Sequence, residues 1–205
     1  PVSIKNRMPG GVYVDDGWLV DDIDGEAKIV LNLQDLTILK GTHNWQNIAF
    51  AYAAGKLCGI NEHNTLVAIS NFSGLQHRQK FVRQLGSIEF INDSKATNIE
   101  AAARALEANS EIFWIAGGRL KENNIDSLLP FLGNVLHVYL IGEAAEALSH
   151  FLNEFVSTTI CDSMNDAVNS AYIDALERNS ATILLSPACS SFDQYKSFEE
   201  RGDVF

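Results

Sequence analysis

Beyond Gly74 the chain alternates short apolar runs with amphipathic stretches, and nothing else in the 205 residues narrows the fold so far. The runs are Ile88 to Asn92, Ile112 to Ala116, Leu136 to Ile141, a weaker Ser157 to Ile160, and Thr182 to Leu185. Between them Ile99, Ala102, Ala103 and Leu106 recur at helical spacing, as do Ala144, Ala147, Leu148 and Phe151, and then Met164, Ala167, Val168 and Ala171. A strand with one wet face alternates apolar and polar residues. These runs do not alternate cleanly, so both their faces need cover, and crossover helices supply it in a parallel sheet. The pattern predicts an α/β, Rossmann-like domain with a mostly parallel sheet over 74–205.

Residues 1–73 read differently. Gly11 to Val14, Trp18 to Val20, Ala27 to Leu31 and Leu36 to Leu39 are β-prone runs separated by Asp/Gly turns, which predicts an antiparallel meander. From Thr42 the period becomes helical, with Trp45, Ile48, Ala49 and Tyr52 on one stripe, and a second helix is expected over Glu62 to Asn71. Ser73-Gly74 then reads as a linker.

Composition removes several classes of function. A hydrophobic fraction of 46% with 20% charged residues suits a folded core. The formal charge of −11 disfavours a nucleic-acid or anionic-membrane surface, because polyphosphate affinity is built from Lys and Arg. No apolar run approaches the roughly 20 residues of a bilayer span, and no signal segment opens the chain. Cys58, Cys161 and Cys189 are too few and too far apart for a disulfide frame or zinc site, so a reducing cytoplasm is expected. With Pro1 first and Phe205 inside a helical stretch, a processed chain or part of a longer one is expected.

In an open parallel sheet, ligands bind beyond the carboxyl ends of the strands. The first turn at that edge is Asn92 to Asn98, where Thr97 with Glu100 fits a capping box. The fourth is Ser186 to Ser191, where Ser191 with Gln194 repeats the pattern. Two helix starts there would suit a carboxylate or phosphate. The second turn, Gly117 to Lys121, adds Lys121, and the first adds Lys95. In a chain poor in cations this coincidence favours an anionic ligand. Singly, each feature also has a plain structural reading, as a cap, a tight turn or a solvated charge. Gly142-Glu143, the third turn, carries no cation and reads as structural. Asp93 is either a helix-start carboxylate or an acceptor for sugar hydroxyls. Arg78 is either solvated or a phosphate clamp. His43 and His77 read as structural histidines. No GxxxxGK[ST], GxGxxG, HExxH or GxSxG segment occurs, so no complete phosphoryl-transfer machinery is visible.

In order, His43-Asn44-x-x-Asn47, Leu75-x-His77-Arg78, the run NDSKATN at Asn92 to Asn98, Gly117-Gly118-x-x-Lys121 and the run from Leu185 to Gly202 resemble the Mur ligase family. The likeness extends from Thr42 to Phe205 and is greatest to the members that add D-glutamate. It implies an ATP-dependent, ADP-forming amide-bond ligase of peptidoglycan-precursor synthesis in the cytoplasm, acting as a monomer. The carboxylate of UDP-N-acetylmuramoyl-L-alanine would be phosphorylated and the amine of D-glutamate would attack the acyl phosphate.

The resemblance implies that residues 1–73 end a central ATPase domain and that 74–205 form the C-terminal domain. The P-loop, the Mg2+ ligands and a modified lysine would then lie upstream, leaving no catalytic or metal-binding residue in this chain and no activity for it alone. By matching position, Asn44, Asn47, Arg78 and Asp93 would contact ATP. Thr97, Lys121, Ser191 and Phe198 would hold D-glutamate, and Lys95 would reach a phosphate.

Ser190 and Tyr195 depart mildly from the family pattern, while Arg119 stands where an acidic residue is common, which makes it a possible second cation for the glutamate. Two alternatives are a folylpolyglutamate synthetase of the same architecture and a non-catalytic nucleotide or amino-acid sensor beginning near Pro1.

Overall fold

The computed structural model describes residues 1–36, 39, 41–121 and 124–205, with His43 described in its backbone alone. Any role for the His43 side chain therefore lies outside the described residues. The chain divides into two compact units, Pro1–Gly74 and Leu75–Phe205.

The first unit holds strands β1 (Val2–Ser3), β2 (Val12–Asp15), β3 (Trp18–Asp21) and β4 (Lys28–Asn32), then helices α1 (Thr42–Leu57) and α2 (Glu62–Ser70). The sheet is a meander only in part, for β2, β3 and β4 pair antiparallel but β1 pairs parallel to β2. The predicted fourth run, Leu36 to Leu39, is no strand at its start. There the chain forms a 3-10 turn at Leu33–Asp35, capped by Asn32, whose side chain accepts the Gln34 N–H, and 37 and 38 lie outside the described residues. Val12, Leu19, Leu33, Ile48, Ala49 and Tyr52 form the core. Asp21, almost fully buried, accepts from the Tyr52 hydroxyl at 2.9 Å and from Lys56 Nζ at 2.7 Å, which ties the sheet to α1.

The second unit holds β5 (Lys80–Leu85), β6 (Ile88–Asn92), α3 (Ile99–Ala108), β7 (Ile112–Gly117), β8 (Val135–Ile141), α4 (Ala145–Leu152), β9 (Thr158–Ile160), α5 (Met164–Ala175), β10 (Ala181–Leu185) and α6 (Phe198–Val204). The order across its six-stranded sheet is β5-β6-β10-β7-β8-β9. All pairings are parallel except β5 with β6, a hairpin closed by Gly86-Ser87. The mostly parallel α/β fold read from the sequence is therefore present. The edge strand β5 was not foreseen, because its six residues are mostly exposed and carry no apolar run.

Side-chain alternation sends Ile112, Trp114, Ala116, Val138, Leu140 and Leu184 to the face covered by α3 and α4. Phe113, Ile115, Tyr139, Ile141, Ile183 and Leu185 go to the face covered by α5. The crossover from β7 to β8 runs through a 3-10 segment, Ile125–Asn134, with Pro130 inside it. From β6 the chain runs one way across the sheet through β7, β8 and β9, and the order reverses when β10 returns between β6 and β7. Such a reversal opens a crevice at the carboxyl ends of those strands.

Candidate functional site

Everything at that edge is tied to the turn after β10. Asp93 N–H donates to the Leu185 carbonyl at 2.7 Å, and Gly117 N–H to the Pro187 carbonyl at 2.9 Å. Arg119 and Ser190 exchange backbone bonds at 2.9 and 3.0 Å. Glu143 N–H donates to Asp193 Oδ2 at 2.9 Å. The first, second and third turns are thus each bonded to the fourth segment. Positive φ at Gly117 (120°) and Gly118 (125°) lets this happen. A Cβ on Gly117 would lie 1.9 Å from the Ile141 carbonyl oxygen, and one on Gly118 would lie 2.3 Å from that of Ser190.

The buried carboxyl of Asp93 accepts from Ser186 Oγ at 2.9 Å and from the Gln79 N–H at 3.1 Å. Burial pushes it up to about 7, against the pull of the Ser186 hydroxyl, the Gln79 N–H and the Arg78 charge. Arg78 is exposed and close enough to act on Asp93 through its charge, so these two candidates share one corner.

Lys95 stands with its Nζ 3.8 Å from the centroid of the Phe198 ring. The His77 ring meets the same phenyl edge-on, centroids 6.1 Å apart, so Phe198 has a cation and an imidazole against it. Thr97 is half-buried and directly precedes Asn98, the cap of α3. Ser191 is buried, and Lys121 and Asn47 are exposed. Asn44 and Asn47 lie in the first two turns of α1, in the first unit, with Asn47 Nδ2 3.4 Å from Asn44 Oδ1.

Both predicted capping boxes are displaced. Asn98, not Thr97, caps α3, its Oδ1 accepting the Ala101 N–H at 2.8 Å. Asn outranks Thr at this position, and the extended backbone of Asn98 puts the cap one residue later. Ser191 opens no helix. Its carbonyl accepts the Gln194 and Tyr195 N–H groups in a turn, and α6 starts only at Phe198, capped by Ser197 through Glu200 N–H at 3.2 Å. Neither the Thr97 nor the Ser191 side chain is spent on a helix cap. Arg119, read as a possible second cation, has its Nε paired with Glu143 at 3.0 Å at the surface.

Residues that sequence patterns did not mark hold this edge together. Asn92 Nδ2 donates to the Gly202 carbonyl at 2.8 Å, and Ser94 Oγ to that of Phe198 at 2.7 Å. Trp114 Nε1 donates to the Ser186 carbonyl at 2.7 Å. Arg201, 1% exposed, donates to Ser94 and to the Cys189 carbonyl. Their partners are remote along the chain, so no local pattern reveals them. Burial pushes the Cys189 thiol up to about 12, with the Arg201 charge opposing, so it stays neutral and packs as a small apolar group.

The arrangement offers a pre-bonded edge with one buried carboxyl at Asp93, and a lysine and an imidazole against the Phe198 ring. It suits the holding of hydroxylated and anionic groups rather than bond making.

Comparison with known proteins gives a consistent picture. The family described as "Mur ligase, glutamate ligase domain" matches residues 77–189. A UDP-N-acetylmuramoylalanine–D-glutamate ligase of Rhodospirillum rubrum is 43% identical over the whole chain, which spans 43% of that relative. The Caulobacter sp. (strain K31) enzyme of the same name is 42% identical, with 44% of its length covered. The fold resembles that of MurF from Acinetobacter baumannii, with a TM-score of 0.60 at 18% identity, over 85% of this chain and 42% of that one. It also resembles a bifunctional folylpolyglutamate synthase/dihydrofolate synthase from Yersinia pestis, with a TM-score of 0.58 at 16% identity, over 95% of this chain and 44% of that one.

Proposed function

The chain belongs to the Mur ligase family, and from that premise we propose that the protein adds D-glutamate to UDP-N-acetylmuramoyl-L-alanine at the expense of ATP. The observation that carries this reading is the 43% identity, along the full chain, to a ligase of that name. The fold likeness to folylpolyglutamate synthase, at 16% identity, speaks for architecture only.

In the proposed reaction the muramoyl-alanine carboxylate oxygen attacks the γ-phosphorus of ATP, giving an acyl phosphate and ADP. The amine of D-glutamate then attacks the acyl carbon, inorganic phosphate leaves with its electron pair, and the amine sheds a proton. No residue of this chain forms a covalent bond in these steps. Asn44 and Asn47 bind the adenine, Asp93 accepts from ribose hydroxyls, and Arg78 meets the phosphates. Thr97 and Ser191 donate hydroxyl hydrogen bonds to the carboxylates of D-glutamate, Lys121 neutralises one of them, and Phe198 bounds the pocket. Lys95, held over Phe198, turns toward the phosphate being transferred. Such groups contribute by orientation and by charge matched in place.

The family resemblance also implies Mg2+ with the ATP. Among the described residues no group of three His, Cys, Asp or Glu side chains is arranged to hold a metal, and none of the roles above involves one. No helix among the described residues is long and apolar enough to cross a membrane, and the reading places the protein in the cytoplasm as a monomer.

Calorimetry on the full-length protein tests the pocket. Lys121→Ala is expected to weaken D-glutamate binding about tenfold or more, the loss of one charge-assisted contact. Unchanged affinity would remove Lys121 from the site.

A further inference from the structure

Arg201 is a buried cation on which the Asp193 carboxylate acts through its charge without forming an ion pair. Its side chain is 1% exposed, and no ion pair among the described residues includes it. All three guanidinium nitrogens instead donate to neutral oxygens: Nε to Ser94 Oγ at 3.0 Å, Nη1 to the Cys189 carbonyl at 3.0 Å, and Nη2 to the Ser94 carbonyl at 2.8 Å. Burial drags the guanidinium down to about 10, so it is still charged at neutral pH. Removing such a charge from water is costly, and neutral hydrogen bonds offset the cost only in part. An apolar side chain would fill the same volume without that cost, so packing alone does not account for the residue.

The bonds converge on the groups assigned to the amino-acid substrate. Ser94 lies three residues before Thr97, and Cys189 two before Ser191. Ser94 Oγ, accepting from Arg201, donates to the Phe198 carbonyl at 2.7 Å. Arg201 and Phe198 sit on the same short helix. That helix is anchored a second time by Asn92 Nδ2 on the Gly202 carbonyl, at 2.8 Å. Resting on the D-glutamate reading above, we infer that Arg201 is a positioning residue: it fixes the Thr97 turn against the Ser191 turn and α6, and so sets the spacing of the groups that meet the dicarboxylate. It touches no substrate itself. The fork geometry matters as much as the charge, because a lysine reaches only one of the three acceptors.

Steady-state kinetics on the full-length protein test this, with D-glutamate and ATP varied separately and thermal unfolding followed alongside. Arg201→Lys is expected to raise the KM for D-glutamate about tenfold while the KM for ATP stays within about twofold, the scale of losing charged hydrogen bonds. Ser94→Ala keeps the cation and nearly all the volume but cuts the link to Phe198, and it is expected to raise the D-glutamate KM about fivefold. Should Arg201→Lys fail to fold, Ser94→Ala decides alone. A D-glutamate KM within about twofold of wild type in Ser94→Ala, or equal rises in both KM values, overturns the inference. If wild type shows no D-glutamate-dependent turnover, the underlying functional reading fails instead, and the two failures are told apart in one assay.

Discussion

Asp93 illustrates how burial tunes a single residue for a binding task. Its carboxyl is pushed up to about 7 from an ordinary 3.8, so it ionises near neutrality and becomes a full acceptor for ribose hydroxyls above that pH. ATP affinity is accordingly expected to weaken as pH falls from about 8 to about 6. Asp93→Asn should bind ATP more weakly at pH 8 and lose that pH dependence; an Asn variant with the wild-type profile would assign the titration elsewhere. Stability moves in the opposite sense. The native carboxyl holds a proton between pH 3.8 and about 7 where the unfolded one has lost it, so folding takes up a proton there and this group's contribution falls as pH rises through the window. Urea midpoints of wild type and variant at the two ends of that window check the sign.

At the scale of elements, the parallel sheet was legible because a strand covered on both faces must be apolar throughout, and four of the five predicted runs coincide with its inner strands. The runs had no means of announcing β5, whose exposed residues are specified by pairing with β6 and by the Gly86-Ser87 turn. Helix starts were legible only to within a residue or two. Thr97 and Asn98 are both competent caps, and the tertiary path of the turn chooses Asn98. Around Ser191, the bonds to Arg119 and the tight approach of Asp193 to Gly142 replace a helix with turns. The correction separates stability from binding. Asn98→Ala is expected to lower unfolding stability by about 1 kcal/mol with D-glutamate affinity kept. Thr97→Val should do the reverse, changing stability by less than about 0.5 kcal/mol and weakening binding about tenfold. Denaturant melts and calorimetry on both variants measure the split, and a Thr97→Val protein with intact binding contradicts the assignment.

For the whole molecule, a charge of −11 leaves little cationic surface, and the cations at the carboxyl edge have distinct fates. Arg119 is matched by Glu143, Lys95 lies over Phe198, and Arg78 and Lys121 are exposed. Arg201 lies buried among backbone and hydroxyl acceptors. The edge is assembled by long-range bonds to β10 and the segment after it, and it is this wiring, spanning up to 110 residues in sequence, that local patterns do not reveal. The chain spans 43% of the length of a relative it matches throughout, so the reaction has to be measured on the full-length protein. The most direct test is amide formation from ATP and UDP-N-acetylmuramoyl-L-alanine with D- or L-glutamate. Product and phosphate release with D-glutamate, and none with L-glutamate, is the expected result. Turnover indifferent to D-glutamate, or glutamate addition to a folate acceptor in place of the muramoyl one, would contradict it.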